Sequence, residues 1–463
     1  MNKHIALAFA LIFLTCLVML PNITVKATSK TITVPNDYPT ISQAIGNATD
    51  GETILVKSGT YTEQTIEINK SLTIMPERNN RVTIDFHPPQ IPENILGGII
   101  MVYANPITIE ANNIKLSGFT IKSDGGDISA NGNQIQLINN IIGNETVPIG
   151  LKLNGDGTQI ISNTIAGHNQ LALTGSNQTV ADNYLGGLTI TGSANFITGN
   201  TAGGIMLAGS RNVVSGNSLD INRYDSGYGI DLSGDYNFIS NNTEAGNDAG
   251  IAVGYAVNAG GSYNIFAGNT VEEAGLWGIL MGSGSYNLFY GNLVANCGGL
   301  GHDGYGLALG EENIESATNN LFFGNIFMNN SKNFGENWQT LGFNSFDNGK
   351  EGNYWDDYLT MYPNAAEVDN SGIGNTPYLV YGNVTDNYPL MKESNVSDAV
   401  PVLPSPWSSL LSSVSVSTSI PASTPTVPEF PTWIILSLFV MMVLFSIVYV
   451  RKRNIVDRTL VIE

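Results

Sequence analysis

Short runs in which hydrophobic and polar residues alternate recur along the middle of the chain and are separated by Asn and Gly. The stretch SYNIFAGNT at Ser262–Thr270 returns twenty-three residues later as SYNLFYGNL at Ser285–Leu293. Alternation with a period of two is typical of β-strands. Aligned on the second Asn of this motif, nine positions repeat at intervals of 17–33 residues: Asn140, Asn163, Asn183, Asn200, Asn217, Asn242, Asn269, Asn292 and Asn325. These intervals are too short for separate domains, so we predict that each unit is one coil of a solenoid of strands.

A second Asn precedes the first by five residues in six of these units, at Asn195, Asn212, Asn237, Asn264, Asn287 and Asn320. Asn tolerates a left-handed backbone, and identical Asn side chains stacked one strand spacing apart can hydrogen-bond into ladders. We therefore expect Asn at the corners of the coils. The Ile, Phe, Leu and Val between the corners should face a continuous core.

Another strand recurs with the pattern G-[IL]-x-[LVIM], from GLKL at residue 150 to GLAL at residue 306. The distance from its Gly to the next anchor Asn is 13 residues in the units that start at 150, 187, 204 and 229, and 14 or 19 residues later. The distance from that Asn to the following Gly grows from 4 to 14 residues. Loops that emerge at one corner of successive coils stack into one lateral surface, so the pattern predicts a ridge between Asp220 and Tyr305.

The ridge should be acidic and aromatic. Its charged residues are Asp220, Arg223, Asp225, Asp248, Glu272, Glu273, His302 and Asp303, and its aromatic residues are Tyr224, Tyr228, Trp277 and Tyr305. An aromatic side chain combines apolar area with a polar edge and can stack on a sugar ring, or it can pack the loops onto the solenoid. As ligand-binding residues we expect Asp225, Tyr228, Asp248, Trp277 and Tyr305.

Both ends of a solenoid need a cover, because exposed strand edges invite association. At the N-terminal end, Thr40 and Gln43 form a capping-box pattern, and Ile41, Ala44, Ile45 and Ala48 follow at helical spacing. The stretch GNYWDDY at Gly352–Tyr358 supplies a large apolar load for the other end. We expect an N-terminal cap with the first strands at residues 28–80, the coils at 81–347 and an aromatic cap at 348–393.

The terminal segments predict export and anchoring. Residues 1–27 have an apolar run behind a basic start and resemble a signal peptide. Residues 394–432 are rich in Ser, Thr and Pro and predict an extended stalk. Residues 433–450 are uncharged and precede the basic tail 451–463, which is typical of a transmembrane helix with the bulk of the chain outside the cell.

Composition narrows the function further. The formal net charge is -20, so nucleic acid is not an expected partner, since phosphate binding needs clustered Lys and Arg. After removal of the signal, Cys297 is the single Cys, and no disulfide can form within the mature chain. Stability must therefore come from packing.

Several ordered motifs between Thr31 and Lys392 carry a resemblance to a known family. The stretches VPNDYPTISQAI, SGTYTE, GNYWDDY, GIGNTPY and DNYPLM, together with the coils cornered by Asn, closely resemble archaeal surface proteins of the NosD-like right-handed parallel β-helix family. The resemblance implies an all-β, right-handed parallel β-helix, here with a short N-terminal capping helix and a C-terminal transmembrane helix. PEFP at Pro428–Pro431 also looks like a C-terminal sorting signal, which implies cleavage and lipid attachment as an alternative to an intact anchor.

The family name derives from members linked to copper supply, but copper capture needs clustered His, Met or Cys. His87, His168 and His302 lie far apart in this sequence, so copper handling is not expected. Parallel β-helices also include polysaccharide lyases and hydrolases, for which Asp231, His302 and Asp303 are the candidate catalytic residues. Glu367, Asp369 and Asn370 offer oxygen ligands beside a glycine turn, which makes Ca²⁺ the one candidate cofactor. We expect a surface protein that binds glycans or envelope proteins or acts as a scaffold, with a polysaccharide-degrading enzyme as the alternative.

Overall fold

The computed structural model describes residues 30–393 except for 79–80, 96–97, 144–145, 167–169, 221–226, 247–248, 254–260, 299–303, 311–316 and 337–342. The described residues all belong to one compact unit that spans residues 1–410. The predicted signal, the stalk, the segment 433–450 and the basic tail lie outside the described residues. Among the described residues, no helix has the length and hydrophobicity that a membrane crossing requires.

The chain winds through three parallel sheets, which we call faces A, B and C in the order in which a coil visits them. Face A consists of Thr31–Val34, Thr53–Val56, Thr73–Pro76, Lys115–Ser117, Gln136–Ile138, Gln159–Ile161, Thr179–Ala181, Phe196–Thr198, Val213–Ser215, Phe238–Ser240, Ile265–Ala267, Leu288–Tyr290 and Leu321–Phe323. Face B consists of Gly59–Glu63, Val82–Phe86, Phe119–Ser123, Ile141–Ile142 and Thr164–Ile165, followed by Thr201–Ala202, Ser218–Asp220, Thr243–Ala245, Thr270–Glu272, Leu293–Ala295, Ile326–Met328 and Tyr354–Trp355. Single bridges from Tyr184 to Thr164 and to Thr201 join the two parts of face B.

Face C consists of Ile66–Ile68, Ile107–Ile109, Ile128–Asn131, Leu151–Asn154, Gln170–Thr174, Gly187–Thr191, Ile205–Ala208, Tyr228–Ser233, Ala249–Val253, Trp277–Met281, Tyr305–Leu309 and Lys332–Glu336. This parallel β-helix is the architecture that the alternating pattern predicts. With 13 strands on face A and about 4.8 Å between neighbouring strands, the stack of coils is about 58 Å long.

The core is built from columns of identical or similar side chains, because the in-phase register places each inward residue above its counterpart in the previous coil. Phe266, Phe289, Phe322 and Phe346 form one such column, with ring centroids 4.3, 4.7 and 5.1 Å apart. All four rings are fully buried. The continuous apolar interior replaces the disulfides that the chain lacks.

The predicted Asn ladders are present at two corners. In the ladder between faces A and B, each buried Asn accepts a hydrogen bond from the backbone N–H of the Asn one coil earlier, as Asn217 donates to Asn242 at 3.0 Å and Asn242 to Asn269 at 3.1 Å. The series starts at the N–H of Phe119 and ends on the carboxylate of Asp386. A second ladder between faces C and A runs from Gln178 to Asn344.

The left-handed backbone lies one residue before the expected position. In the first ladder the residue that precedes the buried Asn has a positive φ, for example 54° at Asn241 and 63° at Gly268. The ladder Asn is held instead by its side chain, which is fully used: the amide of Asn242 donates to the carbonyl of Val214 at 3.0 Å and to the Asn269 oxygen at 3.0 Å.

The short N-terminal helix α1 spans Ile41–Asn47, and the Thr40 hydroxyl caps it by accepting from the N–H of Gln43 at 3.2 Å. Lys70 closes its other end by donating to the carbonyls of Ile45, Gly46 and Ala48. Its buried residues Ile41, Ala44 and Ile45 are among those that the helical spacing predicts, and the fourth, Ala48, is buried as the C-cap residue just after the helix. Helix α1 thus supplies the first apolar layer of the core.

At the C-terminal end, the one-turn helix α2 at Tyr358–Met361 and the hairpin of Tyr378–Tyr381 with Val384–Asp386 follow the last strand of face B. Trp355 stacks on Phe327 at 4.6 Å and on Tyr378 at 4.6 Å. Asp386 is fully buried and accepts from the N–H of Asn353 at 2.7 Å and from the indole N–H of Trp355 at 3.0 Å. These aromatic rings close the stack as the GNYWDDY motif predicts.

Segments of variable length connect face B to face C, as between Asp220 and Tyr228 and between Ala295 and Tyr305. In later coils the connection from face C to face A also lengthens, as between Val253 and Ile265, so variation is not confined to one edge. An antiparallel hairpin, Gln90–Ile95 with Gly98–Tyr103, is inserted between face B and face C near the N-terminal end. The repeat pattern of the sequence does not predict this hairpin.

Candidate functional site

Face C aligns several of the predicted ligand-binding residues across neighbouring coils. One register position joins Tyr228, Ala249, Trp277, Tyr305 and Lys332. Three residues further along the strands, a second position joins Asp231, Ala252, Leu280, Ala308 and Gly335. We call these ten residues the face C shelf. Since neighbouring coils are about 4.8 Å apart, Tyr228 and Trp277 lie about 10 Å apart along the stack.

The C-terminal half of the shelf is an apolar cluster on the flank of the solenoid. Leu280, Tyr305 and Ala308 are buried, and the half-buried Trp277 packs against them. Only 9% of Tyr305 is exposed, and its ring lies across Gly335, where an added Cβ would collide with the ring carbons. The Lys332 ammonium lies 5.5 Å from the centre of the same ring, within range of a cation–π interaction. Tyr305 therefore supports the shelf, whereas Trp277 and Tyr228 keep part of their surface accessible.

Asp231 is the one candidate catalytic residue that the structure describes. It is half-buried, and its register neighbours are Met206 in the preceding coil and Ala252 in the following coil. Burial raises the pKa of the Asp231 carboxyl above its ordinary value of 3.8. A carboxyl on an apolar surface with a raised pKa is chemically suited to hydrogen-bond a sugar hydroxyl or to act as a general acid.

The other predicted members of this site lie outside the described residues: Asp225, Asp248, His302 and Asp303. In the sequence, each of the four lies between a strand of face B and the face C strand that follows it. The separation of a second carboxyl from Asp231, on which glycoside hydrolysis would depend, therefore stays a prediction.

The predicted calcium ligands serve a turn. Glu367 accepts the N–H of Gly372 at 2.7 Å, and the left-handed residues Asp369 and Asn370, with φ of 45° and 55°, carry the chain between them. In the part of the chain that the structure describes, no group of three or more His, Cys, Asp or Glu is placed to hold a metal ion. Calcium at this turn remains a prediction from the sequence alone.

A stack of tyrosines at the corner between faces C and A is a surface feature that the repeat analysis missed. Tyr236, Tyr263 and Tyr286 stack in order, with centroids 5.1 Å apart in each pair and planes within 7° of parallel. Each ring precedes a ladder Asn and occupies a left-handed position with φ near 60°. The signal was the Tyr before Asn in DYN and in both SYN motifs, which had been used only to align the repeats.

A groove of about 530 Å³ lies where the last coil meets the C-terminal cap. Asn333 bridges its two carboxylates by donating to Asp356 at 2.7 Å and to Asp357 at 3.0 Å, and the Tyr378 hydroxyl donates to Asp357 at 3.1 Å. Because these polar groups are paired with one another, the groove is a well-bonded junction between coil and cap. The shelf remains the better candidate for a ligand.

Residues 174–360 match a family model described as "Periplasmic copper-binding protein (NosD)". This part of the chain is a NosD-like parallel β-helix, which confirms the family resemblance that the motifs predict. The matched region contains all ten residues of the shelf, Asp231 and Trp277 among them.

Solved structures with a similar fold are distant in sequence. The Dettilon tailspike protein is 14% identical, with 66% of this chain and 68% of that chain covered and a TM-score of 0.43. The catalytic unit of a thermostable α-1,3-glucanase from Streptomyces thermodiastaticus is 14% identical, covers 68% and 70%, and has a TM-score of 0.41. A mannuronic acid-specific polysaccharide lyase from human gut microbiota is 11% identical, covers 67% and 87%, and has a TM-score of 0.34. At these identities the likeness concerns the fold alone. A comparison with curated protein sequences found no match.

Proposed function

We propose that this NosD-like chain is an exported, membrane-anchored surface protein that binds glycans or envelope components on the face C shelf. The observation that carries the proposal is the alignment of Tyr228 and Trp277 at one register position of face C, with Asp231 three residues after Tyr228 on the same strand. Aromatic surface beside a carboxyl is the combination with which proteins hold sugar rings, because the ring stacks on the apolar face and the hydroxyls reach the acid.

Export and anchoring rest on the sequence of both termini and agree with the word periplasmic in the description of the matched family model. The test is protease treatment of intact cells. We expect removal of residues 30–393 with retention of a short fragment that contains 433–463. Full protection of the chain would contradict the proposed topology.

Binding is tested with a panel of polysaccharides assayed for both retention and cleavage. We expect retention without cleavage, lost on Tyr228→Ala and on Trp277→Ala. Phe196→Ala is the matched control, since Phe196 is an aromatic residue of face A with 38% of its surface exposed. Thermal melting of each variant separates loss of a contact from loss of the fold. Retention that survives both shelf substitutions would place the binding surface elsewhere.

The alternative is a polysaccharide lyase or hydrolase, which the raised pKa of Asp231 favours. The same assay decides between the two functions. Cleavage that is abolished by Asp231→Asn, with retention preserved, would establish the enzyme and overturn a role limited to binding. Copper binding, which the family description mentions, is tested by titrating the protein with Cu²⁺, and we expect no site of sub-micromolar affinity.

A further inference from the structure

The inserted hairpin projects from the coil stack as a separate two-stranded ribbon. Six rungs pair Gln90–Ile95 with Gly98–Tyr103 in antiparallel register. Its base is fixed, because the Tyr103 ring lies where a Cβ on Gly125 would be and the N–H of Ala104 donates to the carbonyl of Pro89 at 2.9 Å. A two-stranded ribbon is only marginally stable in water by itself, so we expect this hairpin to be covered by a binding partner when the protein functions.

Both faces of the hairpin carry exposed apolar side chains. Residues directly opposite each other share a face, so Ile91 and Ile100 lie on one side and Ile99 and Met101 on the other. The exposed fractions are 46% and 47% on the first side and 75% and 55% on the second. A protein stacked on a sheet covers one face, and a strand added at its edge covers neither. A medium that surrounds the ribbon covers both faces at once.

The charge near the hairpin selects the type of surface. The segment 82–105 contains no Lys or Arg, and its acidic residues are Asp85 and Glu93. This segment therefore offers no attraction to anionic headgroups, and Glu93, which lies opposite Ile100, would be repelled by them, so apolar burial is the driving force that the segment itself supplies. Insertion by this means requires neutral lipid and is insensitive to salt.

A bilayer is also within reach of the hairpin if the chain carries the proposed anchor. Residues 394–432 lie between the described part of the chain and the apolar segment 433–450. A chain of 39 residues can span up to about 130 Å, whereas the stack of coils is about 58 Å long. The tether is thus long enough for either end of the solenoid to touch the membrane that holds the anchor.

We propose that the hairpin of Gln90–Ile95 and Gly98–Tyr103 inserts into the interfacial region of a neutral lipid bilayer and gives the solenoid a second membrane contact. The contact would hold the solenoid against the membrane instead of letting it extend on its tether. The reach argument rests on the proposed anchor, but the apolar faces do not.

The test uses the full chain reconstituted in phosphatidylcholine vesicles, with an environment-sensitive fluorophore on Ile99→Cys or on Ile100→Cys, one for each face. Cys297 is buried, and burial raises the pKa of its thiol to about 12, so labelling in a Cys16→Ser background is confined to the introduced thiol. The control is Phe343→Cys, at a position with 87% exposure outside the hairpin.

We expect both hairpin probes to report an apolar environment and to be quenched several-fold by quencher attached to lipid chains, with no effect on the Phe343→Cys probe. The double substitution Ile91→Asn with Met101→Asn should return the Ile100→Cys probe to water. The control is Leu359→Asn with Met361→Asn, which removes exposed apolar side chains of the C-terminal cap and should leave the probe in lipid.

Vesicle flotation distinguishes failure of the anchor from failure of the hairpin. A chain that floats with the vesicles while both hairpin probes stay in water overturns the insertion and leaves the anchor intact. Protection from water without lipid quenching, or protection of one face that grows with protein concentration, identifies a second copy or another protein as the occupant and also overturns it. A chain whose flotation is lost on Ile91→Asn with Met101→Asn is held by the hairpin alone, which supports insertion without the anchor.

Discussion

Glu244 stands in a column of apolar side chains inside the solenoid, and its replacement should stabilise the protein. On face B the inward residues Ala202, Leu219, Glu244, Val271 and Val294 are stacked in register, and each is at most 1% exposed. Within the described residues, neither oxygen of the Glu244 carboxyl has a hydrogen-bond partner. An uncompensated polar group in such surroundings costs about 1–3 kcal/mol even when it is neutral.

The free-energy cost of burying the Glu244 carboxyl should grow with pH. Burial raises the pKa of Glu244 well above its ordinary value of 4.5, so the folded protein keeps this proton at pH values where the unfolded chain has released it. From about pH 4.5 upward the folded state then binds more protons than the unfolded state, and the free energy of unfolding falls by about 1.4 kcal/mol per pH unit until the folded pKa is reached. Below pH 4.5 this dependence vanishes, because both states are protonated.

Glu244→Met, which is close in volume and has no ionisable group, removes both costs. We expect the variant to be more stable than the wild type by about 1–3 kcal/mol at pH 4, and the difference to widen by about 1.4 kcal/mol for each pH unit above 4.5. Denaturant unfolding from pH 4 to pH 8 measures this difference. Hydrogen exchange in Ser218–Asp220 and Thr270–Glu272, the strands on either side, locates it.

Glu67→Met is the control, since Glu67 is exposed on face C and its replacement makes the same change of side chain without removing a buried carboxyl. A difference between Glu244→Met and wild type that stays constant from pH 4 to pH 8 would refute the reasoning. It would mean that the folded protein compensates the Glu244 charge. A wild type that gains stability over the variant as the pH rises would contradict it more strongly.

Two further predictions concern the first ladder. Asn242→Ala should cost about 2–6 kcal/mol, because it strands the N–H of Asn217 and the carbonyl of Val214 in the core, at about 1–3 kcal/mol each. The oxygen of Asn269 keeps the backbone N–H of residue 242 as a donor. Thermal or denaturant unfolding measures the loss, and a cost equal to that of the exposed Thr243→Ala would show that the ladder adds nothing. At the end of that ladder, burial raises the pKa of Asp386 from 3.8 to about 7 despite the N–H groups that donate to it. Since the pKa of Asp386 is higher in the folded than in the unfolded state, its ionisation opposes folding, and the cap should lose stability as the pH rises from about 4 to 7. The fluorescence of Trp355 should change with pH with a midpoint near 7, and this change should disappear in Asp386→Asn. A pH dependence that is unchanged in Asp386→Asn would exclude Asp386 as its source.

The repeat was predictable because a ladder requires the same side chain at the same corner of every coil. The side-chain hydrogen bond from the amide of Asn242 to the amide oxygen of Asn269 requires an amide on both coils, so the same residue recurs visibly in the sequence. The handedness of the backbone at the corner is less visible, since Gly268, Asn241 and Tyr263 all occupy left-handed positions although they share no chemistry. The left-handed residue is therefore the one before the ladder Asn, whereas the sequence had predicted the Asn itself.

The position of Glu244 shows why the surroundings of a single side chain are harder to predict than the fold. In NTEAGNDAG an acidic residue between small residues is typical of a loop, yet the register with Leu219 and Val271 places it inside. The hairpin at Gln90–Tyr103 breaks the repeat, and its antiparallel pairing depends on which coil strands it separates. Likewise, the predicted partners of Asp231 belong to segments outside the described residues, and the lengths of these segments, unlike the spacing of the ladders, are not fixed by stacking.

The first ladder also has a direction, and its end has a consequence for self-association. In each rung the N–H groups of one coil donate to the amide oxygen of the following coil, so the bond dipoles add and their positive ends point toward the C-terminal end of the stack. If the series finished in another Asn, it would present an unused donor, and a second molecule could continue the column head to tail. Asp386 finishes it with a carboxyl group that accepts from Asn353 and, once ionised above its pKa of about 7, has nothing to donate. The ionised carboxyl thus ends the column and favours a discrete particle over a growing fibre.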